Sequence, residues 1–336
     1  MIFRVDLGNI GPIDGKTDTR SRREFWVEMA NHFAHQRALV RPDTASDLEW
    51  EVSVDASDAI AFLEAIEMLE ESPEVFDERV SSQRCLGRHF LSSALILHLT
   101  GPEGDYRLGP ASAAGKFLQQ LFLGMNVALP GSMLLAGRFV GELEITPAPP
   151  SLTSDLLESA FQHAVQRAWP PLSRLSFGQT WQWLEEELPY TLEVAEHPHH
   201  RALLSLLYLS TPGYREADML LLIAQVLEAF FSDGKQGVGS VLRKRLELVL
   251  GAPATHSNWF NKFYERRSRI AHGSAPVFRP RDYTHDENEA VAKYFQCYLA
   301  PIDEAFAVLL AILQDLVTHD ARQYSFPQEV LRQPRK

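Results

Sequence analysis

The residues with the clearest capacity for chemistry lie near the end of a predicted helix over residues 257–271. The apolar positions of that helix recur at helical spacing and are Phe260, Phe263, Tyr264, Ile270 and Ala271. Arg267 completes the same stripe, because it follows Phe263 by four residues and Tyr264 by three. A guanidinium on a packed seam is costly without a counter-charge, so Arg267 predicts an anionic partner or ligand.

A second polar residue lies on an inward stripe of another predicted helix. Glu228 follows Ala224 by four residues and precedes Phe231 by three. A buried carboxylate and a buried arginine in one helical core indicate an ion pair. The pair can simply lock two helices together, or it can support a functional site at Arg267.

His272 occupies the last turn of the 257–271 helix, directly before Gly273, which can adopt the left-handed conformation that ends helices. Five residues along an ideal helix turn about 500°, which leaves Arg267 and His272 roughly 140° apart around the axis. The two side chains therefore cannot both point straight at one atom. A frayed last turn, the length of the arginine side chain or a symmetric second copy is needed for them to converge.

Three segments together resemble the Apea-like branch of the HEPN superfamily. They are Glu228-Ala-Phe-Phe, the Arg-rich run 243–250 and the stretch Tyr264-Glu-Arg-Arg-Ser-Arg-Ile-Ala-His-Gly273. In that family a helix with a glutamate in an LEALF-like segment precedes an Arg-rich helix, and a Tyr-x-x-Arg-Ser-x-x-x-His-Gly motif follows. The resemblance covers about 145 of 336 residues, from roughly 175 to 320.

The resemblance implies a metal-independent endoribonuclease that needs no cofactor. In such enzymes the 2′-hydroxyl of RNA attacks the adjacent phosphate and leaves a cyclic phosphate end. His272 would act as general base or acid, since imidazole titrates close to neutrality. Arg267 would stabilise the phosphorane charge, and Ser268 would hydrogen-bond the phosphate or orient the arginine. The supporting residues of the matched motif are Glu228, Tyr264 and Gly273.

The resemblance also implies partners. Family members usually pair these helices across a two-fold axis, so a homodimer is expected, with Arg267 and His272 contributed by both subunits. The implied substrate is RNA, as tRNA or mRNA, in anti-phage defence or a toxin-like role. The basic residues expected to bind it are Arg266, Arg269, Arg243 and Lys244. The alternative is a non-catalytic HEPN scaffold that binds RNA, a nucleotide or a protein partner, and packing that seals Arg267 and His272 would favour it.

The run His197-Pro198-His199-His200 has the residue type of a metal site. Ligands this close in sequence around a proline rarely converge on one ion, and no cysteine is near, so no metal site is predicted there. A solvated loop or a helix start is the expected structure. Trp181 and Trp183 are likewise expected to pack in the core rather than to stack on nucleic-acid bases.

Net charge, cysteine spacing and apolar runs limit the classes to which this protein can belong. The net charge of −12 argues against an indiscriminate polyanion binder and leaves room for a local basic cleft, with Arg279 and Arg281 as further candidates. Cys85 and Cys297 lack the spacing of a zinc site or redox motif. No leader-like start is present, and no apolar run reaches the roughly 18 residues that a membrane span requires. A cytoplasmic protein is expected.

The predicted secondary structure that must position these residues changes in type near residue 150. Before it, strand-like alternation at 2–7, 48–54, 93–99 and 139–146 is mixed with helical spacing at 59–69 and 113–122. This pattern predicts a small α+β domain over 1–150, which would sense a trigger, restrain the nuclease or select its substrate. The break at 147–150 ends it, and Ser151 can cap the next helix.

After residue 150 the pattern predicts only helices: a helical connector over 151–174, an all-α HEPN-like helical bundle over 175–320 and a tail over 321–336. The predicted helices cover 155–168, 177–188, 199–209, 217–231, 241–250, 257–271 and 286–318. The last contains Pro301 and is therefore expected to kink or split there.

Overall fold

The computed structural model describes residues 1–8, 10–12, 18–42, 48–70, 93–102, 109–140, 150–213, 216–232, 238–253, 258–275 and 289–326. The strands are β1 (Ile2–Gly8), β2 (Ala38–Val40), β3 (Trp50–Asp55), β4 (Ser93–Thr100), β5 (Leu135–Ala136), β6 (Phe139–Val140) and β7 (Ser151–Leu152). The helices are α1 (Thr19–His35), α2 (Ser57–Glu70), α3 (Gly109–Ala128), α4 (Asp155–Arg167), α5 (Phe177–Glu187), α6 (Pro198–Leu209), α7 (Glu216–Phe231), α8 (Val238–Leu250), α9 (Trp259–Ala271) and α10 (Glu289–Thr318). The fold is therefore mixed, with a small sheet and a helical majority.

The main sheet has five antiparallel strands in the order β2-β3-β4-β1-β6. Alternate residues of β1 point into the core, with Phe3, Val5 and Leu7 all buried. Val5 pairs with Leu95 across the sheet, which sets the register of β4. This two-residue period is the one by which the strand was predicted.

Helix α1 begins where the Asp18 side chain accepts a hydrogen bond from the Arg20 backbone N–H at 3.1 Å. The helix lies against α2 and β3, while α3 contacts strands β2, β3 and β4. Helix α3 is buried along nearly its whole length, as expected for a helix that is apolar on most of its faces.

Helix α10 is the central element of the second half of the chain. It contacts α4, α7 and α9 as well as α3 from the first half. Its residues Ala305 to Leu313 are all buried, because helices surround it on several sides. Pro301 lies inside this helix, which runs unbroken from Glu289 to Thr318, so the chain does not split there.

A continuous core joins the two halves of the chain. Phe33 and Phe117 from the first half contact Trp181 from α5, with ring centroids 5.0 Å and 5.7 Å away. Gln314 of α10 donates hydrogen bonds to the backbone carbonyls of Val127 and Ser173, both at 2.8 Å. Apolar packing and a satisfied buried amide therefore hold α3, α5 and α10 together.

A buried ion pair adds to this connection. Arg22 of α1 lies 3.0 Å from Glu158 of α4, with side chains only 1% and 3% exposed. Arg22 also donates to the carbonyls of Ile10 and Gly131 at 2.9 and 2.8 Å. These contacts tie α1 to α4 and to the turn after α3.

Most predicted elements are confirmed within the described residues, with bounds shifted by a few positions. Helix α1 was not predicted. The predicted strand over 139–146 is present at Phe139–Val140, and residues 141–149 lie outside the described part. The prediction that Ser151 caps the next helix is wrong, because Ser151 pairs with Ala136 in a short sheet. The residue before α4 is Ser154. None of the described helices combines the length and apolar composition needed to cross a bilayer.

Candidate functional site

Helix α9 carries most of the residues predicted to form a site. Trp259, Phe260 and Phe263 are buried and anchor its first two turns. Tyr264 stacks on Phe260 with ring centroids 4.7 Å apart. The helix packs against α7 and α10, which places Tyr264 and Arg267 on the side that faces Glu228 of α7.

Glu228 accepts two contacts on the same oxygen. Its Oε1 lies 3.2 Å from Arg267 Nη2, and the Tyr264 hydroxyl donates to it, also at 3.2 Å. The ion pair predicted between Glu228 and Arg267 is therefore confirmed. Tyr264 joins it as a third member, which the spacing of three residues to Arg267 allows on one helix face.

This triad is partly open to solvent. The Arg267 and Glu228 side chains are 32% and 27% exposed, so neither is sealed in the core. Burial raises the pKa of the Tyr264 hydroxyl, and the charge of Glu228 beside it raises that pKa further. Nε of Arg267 is buried and makes no hydrogen bond to any described residue. The guanidinium contacts Glu228 through Nη2, and the exposed part of the side chain is open to another partner.

His272 follows the last residue of α9. Its backbone N–H donates to the Ser268 carbonyl at 3.0 Å, and Gly273 takes a left-handed φ of +69°. The backbone N–H of Ser274 then donates to the Arg269 carbonyl at 2.8 Å, which closes the helix end. The predicted glycine cap is confirmed, and the His272 side chain is exposed beside it.

The structure unites some predicted site residues and leaves others apart. Arg267, Glu228 and Tyr264 are in contact, whereas no side-chain hydrogen bond within the described residues joins Ser268 or His272 to Arg267. Ser268 is partly buried. Arg267 and His272 do share one end of α9, separated by the angle that helical geometry imposes.

The basic residues expected to bind RNA surround this end of the fold unevenly. Arg269 is exposed and Arg266 half-buried on α9. Arg243 and Lys244 are exposed on α8, where Arg243 Nε donates to Glu247 at 2.8 Å. Glu247 offsets the charge of Arg243, so the α9 arginines have the greater capacity to attract a phosphate. The candidates Arg279 and Arg281 lie outside the described residues.

A groove of about 650 Å³ borders the triad on the α7 side. Glu228 lines it together with Arg201 and Tyr208 of α6 and Glu193 of the α5–α6 connection. Neither Arg267 nor His272 lines this groove. Glu228 therefore contacts both the groove and Arg267.

The histidine run at 197–200 begins helix α6, as expected, with Pro198 in its first turn. His199 is nevertheless buried, at 4% exposure, and Glu187 from the end of α5 lies beside it. Burial, followed by the neighbouring imidazoles, lowers the pKa of His199 to about 4. Burial also lowers the pKa of His200. Sequence reasoning missed this grouping because Glu187 belongs to a different helix.

No protein-family model matches this chain, and neither the curated proteins nor the solved structures give a significant match.

The expectation that Trp181 and Trp183 pack in the core is confirmed, since both are at most 3% exposed.

Proposed function

We propose that this protein is a metal-independent endoribonuclease of the HEPN type, with a role in anti-phage defence or as a toxin. One observation carries the proposal: Arg267 is held by Glu228 yet remains one-third exposed, on the helix that ends at the exposed His272. A fixed, permanently charged donor and a titratable imidazole are the two groups that RNA cleavage without metal requires.

The proposed reaction is an internal transfer within RNA. His272 takes the proton of the 2′-hydroxyl, whose oxygen forms a bond to the adjacent phosphorus. The bond from phosphorus to the 5′-oxygen breaks, and the proton held by His272 passes to that leaving oxygen. Arg267 stabilises the charge on the phosphorane through the exposed part of its side chain. The products are a 2′,3′-cyclic phosphate and a 5′-hydroxyl.

Glu228 and Tyr264 have a positioning role in this proposal. Glu228 holds one side of the guanidinium, and the Tyr264 hydroxyl holds Glu228. Arg267 therefore loses less side-chain freedom when a phosphate binds, which lowers the entropic cost of recognition. Ser268, partly buried and next in sequence, is available to the same phosphate.

Dimerisation through the α9 end is part of the proposal, because one α9 separates Arg267 and His272 by roughly 140°. A two-fold axis would bring Arg267 of one subunit close to His272 of the other. The described helices from α5 to α10 are compatible with a helical bundle in this part of the chain.

The test is cleavage of total RNA by the full-length chain in excess EDTA, with mapping of the new ends. The protein is expected to generate cyclic phosphate and 5′-hydroxyl ends, and Arg267→Ala or His272→Ala should each lower the rate by about 100-fold or more. Matched controls are Arg20→Ala, an exposed arginine paired with a glutamate, and His319→Ala, an exposed histidine just after a helix. Both controls should cleave as the wild type does. The melting temperature in the same EDTA buffer shows whether lost cleavage reflects unfolding.

A mixing experiment tests the composite site. Arg267→Ala and His272→Ala subunits are each inactive, but their heterodimer contains one intact pair if the two groups come from different subunits. Mixing should then restore about a quarter of the wild-type rate, since half of the dimers are mixed and one of their two sites is complete. Undiminished cleavage by both single variants would contradict the proposal.

A second function, a non-catalytic HEPN scaffold, is favoured by the neutralisation of Arg267 by Glu228. An arginine already paired with a carboxylate attracts phosphate less strongly than a free one. Absence of RNA cleavage by the wild type, together with binding of RNA, a nucleotide or a protein partner, would establish this alternative instead.

A further inference from the structure

The cluster of Glu187, His199 and His200 contains polar atoms that its own contacts leave unsatisfied. Both ring nitrogens of His199 and Nδ1 of His200 are buried and make no well-formed hydrogen bond to any described residue. Nε2 of His199 lies 3.1 Å from Glu187 Oε2, without a well-formed hydrogen bond between them. The backbones of Arg322 and Glu187 lie near His199 and His200 respectively but are poorly aligned with the rings. Buried imidazole nitrogens with poorly aligned partners are unfavourable, because they have lost water without a full hydrogen bond in return.

We propose that Glu187, His199 and His200 bind one divalent transition-metal ion, and that Zn²⁺ fits this donor set best. One carboxylate oxygen and one nitrogen of each imidazole lie within 4.8 Å of one another. Tetrahedral Zn²⁺ with bonds of about 2.0–2.2 Å separates its ligand atoms by roughly 3.3–3.6 Å. The 3.1 Å contact of His199 with Glu187 is already close to that spacing. A small movement of His200 brings in the third ligand, and water can take the fourth position.

The surroundings favour an ion over a simple buried ion pair. The rings of His199 and His200 lie 4.1 Å apart, a close approach that a shared ion would stabilise. Two imidazoles with one carboxylate is a combination found in zinc sites.

Arg322 orients the carboxylate of this site. Its Nε donates to Glu187 Oε1 at 2.7 Å, which leaves Oε2 directed toward His199. A hydrogen bond to the outer oxygen of a metal-binding carboxylate fixes its orientation. The positive charge of Arg322 opposes the ion, so removal of that charge should tighten metal binding rather than weaken it.

The ion would join the end of α5 to the start of α6 across the connection at 188–197. This inference does not rest on the proposed ribonuclease activity, since none of the three ligands belongs to the α7–α9 site. It reverses the expectation that the histidine run does not bind metal. That expectation considered only ligands close in sequence, whereas Glu187 lies twelve positions before His199.

The test uses the untagged full-length chain, stripped with EDTA and dialysed against Zn²⁺ or Co²⁺. Elemental analysis should find one ion per chain, and bound Co²⁺ should give the visible absorption of a tetrahedral site with nitrogen and oxygen ligands. The melting temperature should rise with Zn²⁺ concentration, because an ion that binds only the folded state stabilises it.

Variants identify the ligands. His200→Gln and Glu187→Gln should each lose the ion and its absorption while retaining the circular dichroism of the wild type. These two variants are chosen because His199 is more buried than His200, so His199→Gln has a greater risk of unfolding. His197→Gln, a matched control in the same run, should keep one ion, and Arg322→Gln should bind it more tightly. Wild type that holds no more ion than His200→Gln overturns the proposal. Loss of the ion in His197→Gln with full retention in His200→Gln overturns the ligand assignment.

Discussion

Among the arginine–glutamate pairs that join described helices, Arg22–Glu158 and Arg267–Glu228 differ in what surrounds them. Arg22 and Glu158 are 1% and 3% exposed, and Arg22 also donates to two backbone carbonyls. Arg267 and Glu228 are 32% and 27% exposed, and Nε of Arg267 makes no hydrogen bond to a described residue. The first pair is enclosed by the fold, whereas the second remains accessible to a ligand.

This difference separates a structural pair from a functional candidate. Charges removed from water require a partner at all times, so the fold must keep Arg22 and Glu158 together. Charges that retain solvent contact can exchange a partner for water or for a phosphate at small cost. The same two residue types can therefore hold a core in one place and present a binding group in another.

The largest expected effect is at the enclosed pair. Arg22→Met leaves Glu158 as a buried carboxylate without its counter-charge, and should lower the free energy of unfolding by about 3–5 kcal/mol. Urea denaturation of the purified variant measures this. Arg20→Met, at an arginine that is 68% exposed and paired with Glu24, should change it by less than about 1 kcal/mol.

The double variant Arg22→Met/Glu158→Leu sharpens that result. It removes both charges, so it should be more stable than Arg22→Met alone. A double variant that is less stable than the single one would show that Glu158 makes stabilising contacts of its own, such as the one with Gln162, that outweigh the cost of its uncompensated charge.

A smaller effect is expected at the accessible pair. Glu228→Gln removes the charge beside Arg267 but keeps an oxygen that can accept from Tyr264. Because both side chains touch solvent, the free energy of unfolding should fall by about 1 kcal/mol or less. RNA cleavage should fall by roughly tenfold if Glu228 positions Arg267. Glu24→Gln, which is 51% exposed and paired with Arg20 away from the candidate site, is the control and should leave cleavage unchanged. A stability loss as large as that of Arg22→Met would abolish the distinction between the two pairs.

The smallest effect concerns a histidine on the same helix as Arg22. His32 packs against Phe33 and Phe177, with centroids 5.2 and 5.4 Å away, and burial lowers its pKa while Glu28 partly offsets the shift. Protonation is therefore more favourable in the unfolded chain. The contribution of neutral His32 to the free energy of unfolding should be fully present above the usual histidine pKa of about 6.5. It should decrease as pH drops from there toward the lowered pKa of the folded state.

Urea denaturation at pH 7.5 and pH 5 checks this. His32→Gln should lose less stability between these two pH values than the wild type does, whereas His35→Gln, an exposed position on the same helix, should keep the wild-type difference. If His32→Gln loses as much stability between pH 7.5 and pH 5 as the wild type does, burial does not penalise the protonated ring.

The sequence predicted the accessible pair because its members lie on apolar stripes at helical spacing. Arg267 follows Phe263 by four residues, and the structure places it against Glu228. The enclosed pair escaped prediction because two of the inward positions of α1 are the polar residues Thr19 and Arg22, which obscure its apolar period. The approach of Glu187 to His199 also escaped, because it depends on how the α5–α6 connection folds. Periodicity describes one helix at a time, and contacts between helices require the fold.

The aromatic contact of Phe33 and Phe117 with Trp181, and the Gln314 amide that ends on the Val127 carbonyl, have a practical consequence. A fragment that stops near residue 150 would carry an uncovered aromatic face and a core carbonyl with its bonding partner removed. Such a surface promotes self-association. Any role of the first half as a sensor or restraint is therefore best studied in the intact chain, with point substitutions at this contact in place of truncation.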